Sequence, residues 1–164
     1  MKRSIMLGVF LLTLIGCIIF VAYNPTIAVN YTTEYADGEI ITPENGQYDF
    51  RIFTINSSSS KFTANVVTPG HTRFDDDTGN VTINVIELDK MINVKKDDAN
   101  EFLNGEIKKP AWSVDGVTVH QIDFMTHDSL YSSYQKNSTT NVIIYIATPN
   151  EQDTANMMNS LVFK

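Results

Sequence analysis

Cysteine is all but missing from this 164-residue chain. Cys17 is the single one, so no disulfide can close within the chain and the fold must rest on packing and hydrogen bonds. Eight glycines and five prolines are too few for a collagen-like or low-complexity protein. Positive charge is scarce past the first residues. Residues 24–164 hold all nineteen acidic side chains against ten basic ones and no basic stripe, which argues against nucleic acid and anionic lipid as partners. Catalytic signatures are lacking too: there is no G-x-S-x-G elbow, no Walker loop and no G-x-G-x-x-G.

One long apolar run is present, and it decides where the rest of the chain works. Ile5 to Tyr23 is nineteen residues without a charge. As a helix it would extend about 28 Å, close to the roughly 30 Å hydrocarbon core of a bilayer. Lys2 and Arg3 precede it and the next basic residue is Arg51, with Glu34, Asp37, Glu39, Glu44 and Asp49 between. By the positive-inside rule the N-terminus stays in the cytoplasm and the remainder lies outside. The expected organisation is a transmembrane anchor over residues 1–23, a spacer over 24–38 and an extracytoplasmic domain over 39–164, in a single-pass protein of the cell membrane. Two rivals stand beside the anchor. Thr26-Ile27-Ala28 offers a small-x-small signal-peptide cleavage site, although the run exceeds the about 7–15 residues of a signal peptide's apolar region. Leu14-Ile15-Gly16-Cys17 offers a lipobox, although further apolar residues follow Cys17. All three readings export the domain.

Beyond the run, strand patterns dominate. Tyr48 to Ile55 alternates, placing Phe50, Ile52 and Thr54 on one face and Asp49, Arg51, Phe53 and Ile55 on the other. Ser57 to Ser60 reads as a flexible loop into a strand over 61–68. Asp75 to Asn80 reads as a turn into Val81 to Val85, with Gly79-Asn80 able to take the positive φ of a tight connection. Asp97 or Asp98 reads as the cap of a helix carrying Phe102 and Leu103 and ending near Gly105; with Asp98 as N-cap, Glu101 completes a capping box. Ala111-Trp112 is expected to plug an edge of the core. Asp115-Gly116 signals a hairpin into Val117 to Phe124. Val142 to Ala147 is apolar at both parities, the mark of a strand covered on both faces. Asn150 then caps a final helix whose inward stripe is Ala155, Met158 and Leu161, with Met157 beside it.

Three groups invite a chemical reading. Asp75, Asp76 and Asp77 suggest calcium, but counting from Asp75 an EF-hand would need glycine sixth and glutamate twelfth; Gly79 is fifth and Ile86 twelfth. A solvated hairpin tip fits better. His120, Asp123, His127 and Asp128 suggest a metal site, but on a strand His120 and Asp123 face opposite ways. The Ser57 to Ser60 run has no elbow glycine beside it. No catalytic, cofactor-binding or metal-ligating residue is assigned, and Cys17, within the apolar run, is not placed to act as an aqueous nucleophile. Four N-x-S/T sequons, Asn30, Asn56, Asn80 and Asn137, matter if the host glycosylates its surface.

The hairpin Val114 to Val119, the segments Leu130 to Tyr134 and Asn141 to Ala147, and the closing Ser160-Leu161-Val162-Phe163 together resemble the PsbP/Mog1-like family. The chain is also similar in outline to small anchored proteins of methanogenic archaea. The opening aromatic-x-x-Pro-x-x-Trp segment frequent in that family has no counterpart in Tyr48 to Ile55. The resemblance implies an α+β fold, an antiparallel sheet covered by helices in an α/β/α sandwich, acting by binding proteins without catalysis; it carries no site residue over. The function expected is a non-catalytic binding module of the cell envelope, with the membrane and an envelope protein as partners. The alternatives are an envelope hydrolase using carboxylates or His120, and a glycosylated structural surface protein.

Overall fold

A computed structural model describes residues 35–91, 105, 109–123 and 129–164. All of them belong to one compact unit, Thr32–Lys164. The anchor, most of the spacer, Cys17, Asn30, His127, Asp128 and the capped helix from Asp98 lie outside the described residues, apart from Gly105, which is helical and exposed.

In chain order the elements are β1 (Ile40–Ile41), β2 (Gln47–Asp49), β3 (Phe53–Asn56), β4 (Phe62–Thr68), β5 (His71–Asp76), β6 (Thr82–Glu87), β7 (Ala111–Val114), β8 (Val117–Asp123), β9 (Ser129–Asn137), β10 (Val142–Thr148), α1 (Glu151–Ser160) and β11 (Val162–Phe163). Eight strands form an antiparallel sheet in the order β1-β4-β5-β6-β10-β9-β8-β7, and three form a small sheet in the order β11-β3-β2. The expected α/β/α sandwich is therefore corrected: the fold is mainly β, and α1, with ten residues, is the one complete helix among the described residues. None of their helices is long and apolar enough to cross a membrane.

The reason lies in one segment. The alternating run at Tyr48 to Ile55 is not one strand but a hairpin, with Tyr48 opposite Ile55 and Asp49 opposite Thr54. It reverses at Arg51, whose φ is +56°. Phe50 N–H donates to Phe53 O at 2.9 Å, closing the turn. The reversal brings Phe50 and Phe53 to the same side, stacked with ring centres 4.8 Å apart and planes within 9°. Tyr48, Phe50, Phe53 and Ile55 are all fully buried and face the large sheet. There they join Phe62, Phe74, Ile83, Ile144 and Ile146 in one core, with Met157, Met158 and Leu161 of α1. An aromatic hairpin thus fills space where the family resemblance implies a covering helix.

The central strand behaves as its composition dictates. All seven residues of β10 are buried between β6 and β9. Val142, Ile144 and Ile146 meet the main core, whereas Ile143 packs with Ile86 and Leu88 in a second cluster. Asn150 caps α1 as its residue type suggests, its Oδ1 accepting from Gln152 N at 2.8 Å and Asp153 N at 3.3 Å. Buried Thr154, unremarked in the sequence, bonds Thr148 Oγ1 at 2.8 Å and donates to Tyr131 O at 2.9 Å, tying α1 to the sheet. The helix stops at Ser160, and Val162–Phe163 leave it as a strand paired with β3.

Candidate functional site

Among the described residues, those singled out from sequence do not assemble into a reactive centre. His120 sits on β8 with 5% exposure, its ring stacked 6.3 Å from Tyr134. Its Nδ1 is buried without a hydrogen-bond partner among the described residues. Asp123 ends the same strand, three positions on. Among the described residues, no three His, Cys, Asp or Glu side chains gather as a metal site. His71 bonds Asn84 Oδ1 through Nε2 at 2.9 Å, on a different strand pair from His120.

The three consecutive aspartates diverge. Asp75 turns onto the sheet face, accepting from Arg73 Nε at 2.9 Å, Asn65 Nδ2 at 2.8 Å and Thr82 Oγ1 at 3.2 Å. Asp76 closes the β5–β6 tip, accepting from Thr78 Oγ1 at 2.9 Å, Asn80 N at 3.0 Å and Val81 N at 3.1 Å. Asp77 accepts from Ser60 Oγ at 2.8 Å. Each carboxylate is committed to a different task, and the hairpin-tip reading holds. The serine run is committed as well: Ser59 O accepts from Tyr48 O–H at 2.5 Å. Burial, and then Asp77 and Asp76, hold the Tyr48 phenol above its ordinary range. Trp112 does not plug the core; it stands 36% exposed on the edge strand β7.

A site that the sequence pattern hid lies on the outer face of the small sheet. A groove of about 570 Å³ is lined by Thr42, Glu44, Asn45, Gln47, Asp49, Thr54 and Asn56. Two turns build it. Asn45 (φ +53°) and Gly46 (φ +82°) form a tight connection that sets Glu44 opposite Gln47. The Arg51 reversal then lays β3 along β2, pairing Gln47 with Asn56 and Asp49 with Thr54 on the outward face. Inward Tyr48 and Ile55 fix these four by period two. The side chains of Thr42, Glu44, Asn45, Gln47, Thr54 and Asn56 are not engaged in hydrogen bonds among the described residues. Amides, hydroxyls and a carboxylate therefore converge with their bonding capacity unspent. Reading Tyr48 to Ile55 as a single strand concealed these cross-strand neighbours; the polar alternation of Gln47 and Asp49 was the available signal.

Asp49 is the exception in the lining. It accepts from Lys164 Nζ and, at 2.9 Å, from Arg51 N. The Lys164 bond first, and the Arg51 backbone bond second, hold its carboxyl below the ordinary aspartate range. A lowered native pKa stabilises the fold above the unfolded value, and that contribution disappears as pH falls through the native one. With the Asp49 side chain 67% exposed, the ion pair contributes no more than about 1 kcal/mol. Following the Asp49 carboxyl by NMR should give a depressed midpoint that rises in Lys164→Ala. An unchanged midpoint would show that Lys164 does not hold it.

The sequons differ in their surroundings. Asn56 and Asn80 are exposed, whereas Asn137 is half-buried and its Oδ1 accepts from Thr139 N at 2.9 Å. No protein-family model, curated protein or solved structure matches this chain.

Proposed function

We propose that this chain is an exported, non-catalytic binding module of the cell envelope, tethered through its N-terminal apolar run, whose groove on the small sheet takes a neutral, hydroxyl-rich ligand. The observation that carries the reading is the convergence of unspent amide, hydroxyl and carboxylate groups along that groove. Each ligand hydroxyl both donates and accepts, and side-by-side amides and carboxylates satisfy both functions. Glu44 and Asp49, with no cation in the lining itself, disfavour phosphate or sulfate. The apolar run and its flanking charges support export.

The test uses the full chain in detergent with neutral oligosaccharides of glucose and of N-acetylglucosamine. Binding by at least one is expected, and Gln47→Ala and Thr54→Val should each weaken it by up to roughly tenfold, the scale of one lost hydrogen bond. Both side chains are outward-facing, so melting temperature should hardly change. Saccharide binding that survives both substitutions would place the ligand elsewhere. No binding to either series would remove the hydroxyl-rich class.

A further inference from the structure

The two ends of the large sheet are finished differently. At one end the two-residue strand β1 and residues 37–39 before it cover β4: Ala64 N–H donates to Glu39 O and Gly38 N–H to Ala64 O, both at 2.8 Å, and Val66 N–H donates to Asp37 Oδ1 at 3.0 Å. The β7 end has no such cover among the described residues, and Ala111, Trp112 and Ser113 are exposed. The two-residue turn Asp115-Gly116 makes Val114 and Val117 a hydrogen-bonded pair. Trp112 and Val119 then form the next such pair, in line with Gln121 N–H donating to Pro110 O at 3.3 Å. Ala111 and Ser113 therefore direct their N–H and C=O groups away from the sheet.

From this edge we infer that β7 pairs antiparallel with β7 of a second copy of the chain, joining two large sheets across a two-fold axis. The register follows from the parity. Only outward-directed residues can exchange bonds across the seam, and the register that engages both Ala111 and Ser113 of each copy sets Ala111 opposite Ser113 of the other. That register puts Trp112 on the axis, facing Trp112 of the second copy in a non-hydrogen-bonded pair, where cross-strand side chains come closest. The edge is thus complementary to itself in backbone and aromatic pattern, as an isologous interface requires. Trp112 is already positioned: its Nε1 donates to Glu151 Oε2 at 2.7 Å, and its ring stands edge-on to Tyr131 with centres 6.0 Å apart. Little side-chain freedom is left to lose on association. The seam is short, below the roughly 1,000 Å² of stable complexes, so the dimer should be weak, with a Kd on the order of 10⁻⁴ M.

Trp112 is the single tryptophan of the chain, which makes its emission a readout confined to this edge. For the full chain in detergent, sedimentation should show a monomer–dimer equilibrium, and indole emission should shift to the blue over the same concentration range. Ser113→Pro removes an outward N–H and should abolish both changes. Ser113→Lys, which places like charges across the seam without altering the backbone, should do the same. A monomer at all concentrations overturns the inference. So does a dimer whose indole emission stays constant or that persists in both variants, because another surface would then hold it.

Discussion

Replacing Phe50 with alanine should destabilise the domain by about 3–5 kcal/mol, the range for deleting a buried aromatic ring. Phe50 is the hub of the aromatic core. Its ring contacts Phe53 at 4.8 Å, Phe74 at 4.8 Å, Phe62 at 5.7 Å and Tyr48 at 5.9 Å between centres. Those neighbours come from both sheets, so the cavity would open where the two sheets meet and no single element could collapse into it. At roughly 3 °C per kcal/mol for a domain of this size, the melting temperature should fall by about 10 °C or more. Phe50→Leu, which keeps most of the volume, should cost far less. The hairpin reversal at Arg51 makes this prediction specific: a single continuous strand would turn either Phe50 or Phe53 away from the core. A loss below about 1 kcal/mol would therefore contradict the reversal itself.

The second large effect is expected at Gly70, in the β4–β5 connection. Its φ is +79°, and a Cβ added there would lie 2.8 Å from Glu87 O, 2.9 Å from Met91 Cγ and 3.1 Å from Met91 N. Glu87 N–H also donates to Gly70 O at 2.7 Å, so the two segments are clamped and cannot separate freely. Gly70→Ala should cost about 2–4 kcal/mol, combining the left-handed backbone with displacement of neighbouring backbone. Gly79 supplies the comparison. It has a similar φ of +74° with nothing within 4 Å of the added Cβ. Gly79→Ala should show the dihedral cost alone, about 1 kcal/mol. Denaturant unfolding of both variants separates the terms. Equal losses would mean that the close approach of Glu87 and Met91 is absent.

Much of this fold is legible in local sequence chemistry. Asp115-Gly116 marks its hairpin because both positions take positive φ, +49° and +82°. The run at 142–147 announces burial on both faces, and Asn150 announces a helix start. These are short-range effects, decided by a residue and its immediate neighbours. The reversal at Arg51 is not of that kind. Neither glycine, proline nor asparagine stands there, and arginine at φ +56° is held by its surroundings: its guanidinium lies 4.4 Å over the Tyr35 ring and pairs with Glu39 at 2.6 Å. Those partners lie twelve or more residues away, so no local pattern reports them.

That one hidden turn accounts for two further departures. Read as one strand, the segment supplies no second sheet to cover the large one and hides the outward pairs Gln47–Asn56 and Asp49–Thr54. The groove could not be found without them. Trp112 illustrates a different limit. Hydrophobicity suggests a plug at an edge of the core, whereas its position on the terminal strand β7, a matter of topology, leaves it at the surface.

The most direct test of the binding account is an amide chemical-shift map of the full chain in detergent, titrated with the neutral oligosaccharides. The account predicts that perturbations concentrate between Thr42 and Asn56 and leave His120 and its neighbours on β8 and β9 unmoved. Perturbations centred on His120, or no perturbation between Thr42 and Asn56 at saturating ligand, would contradict it.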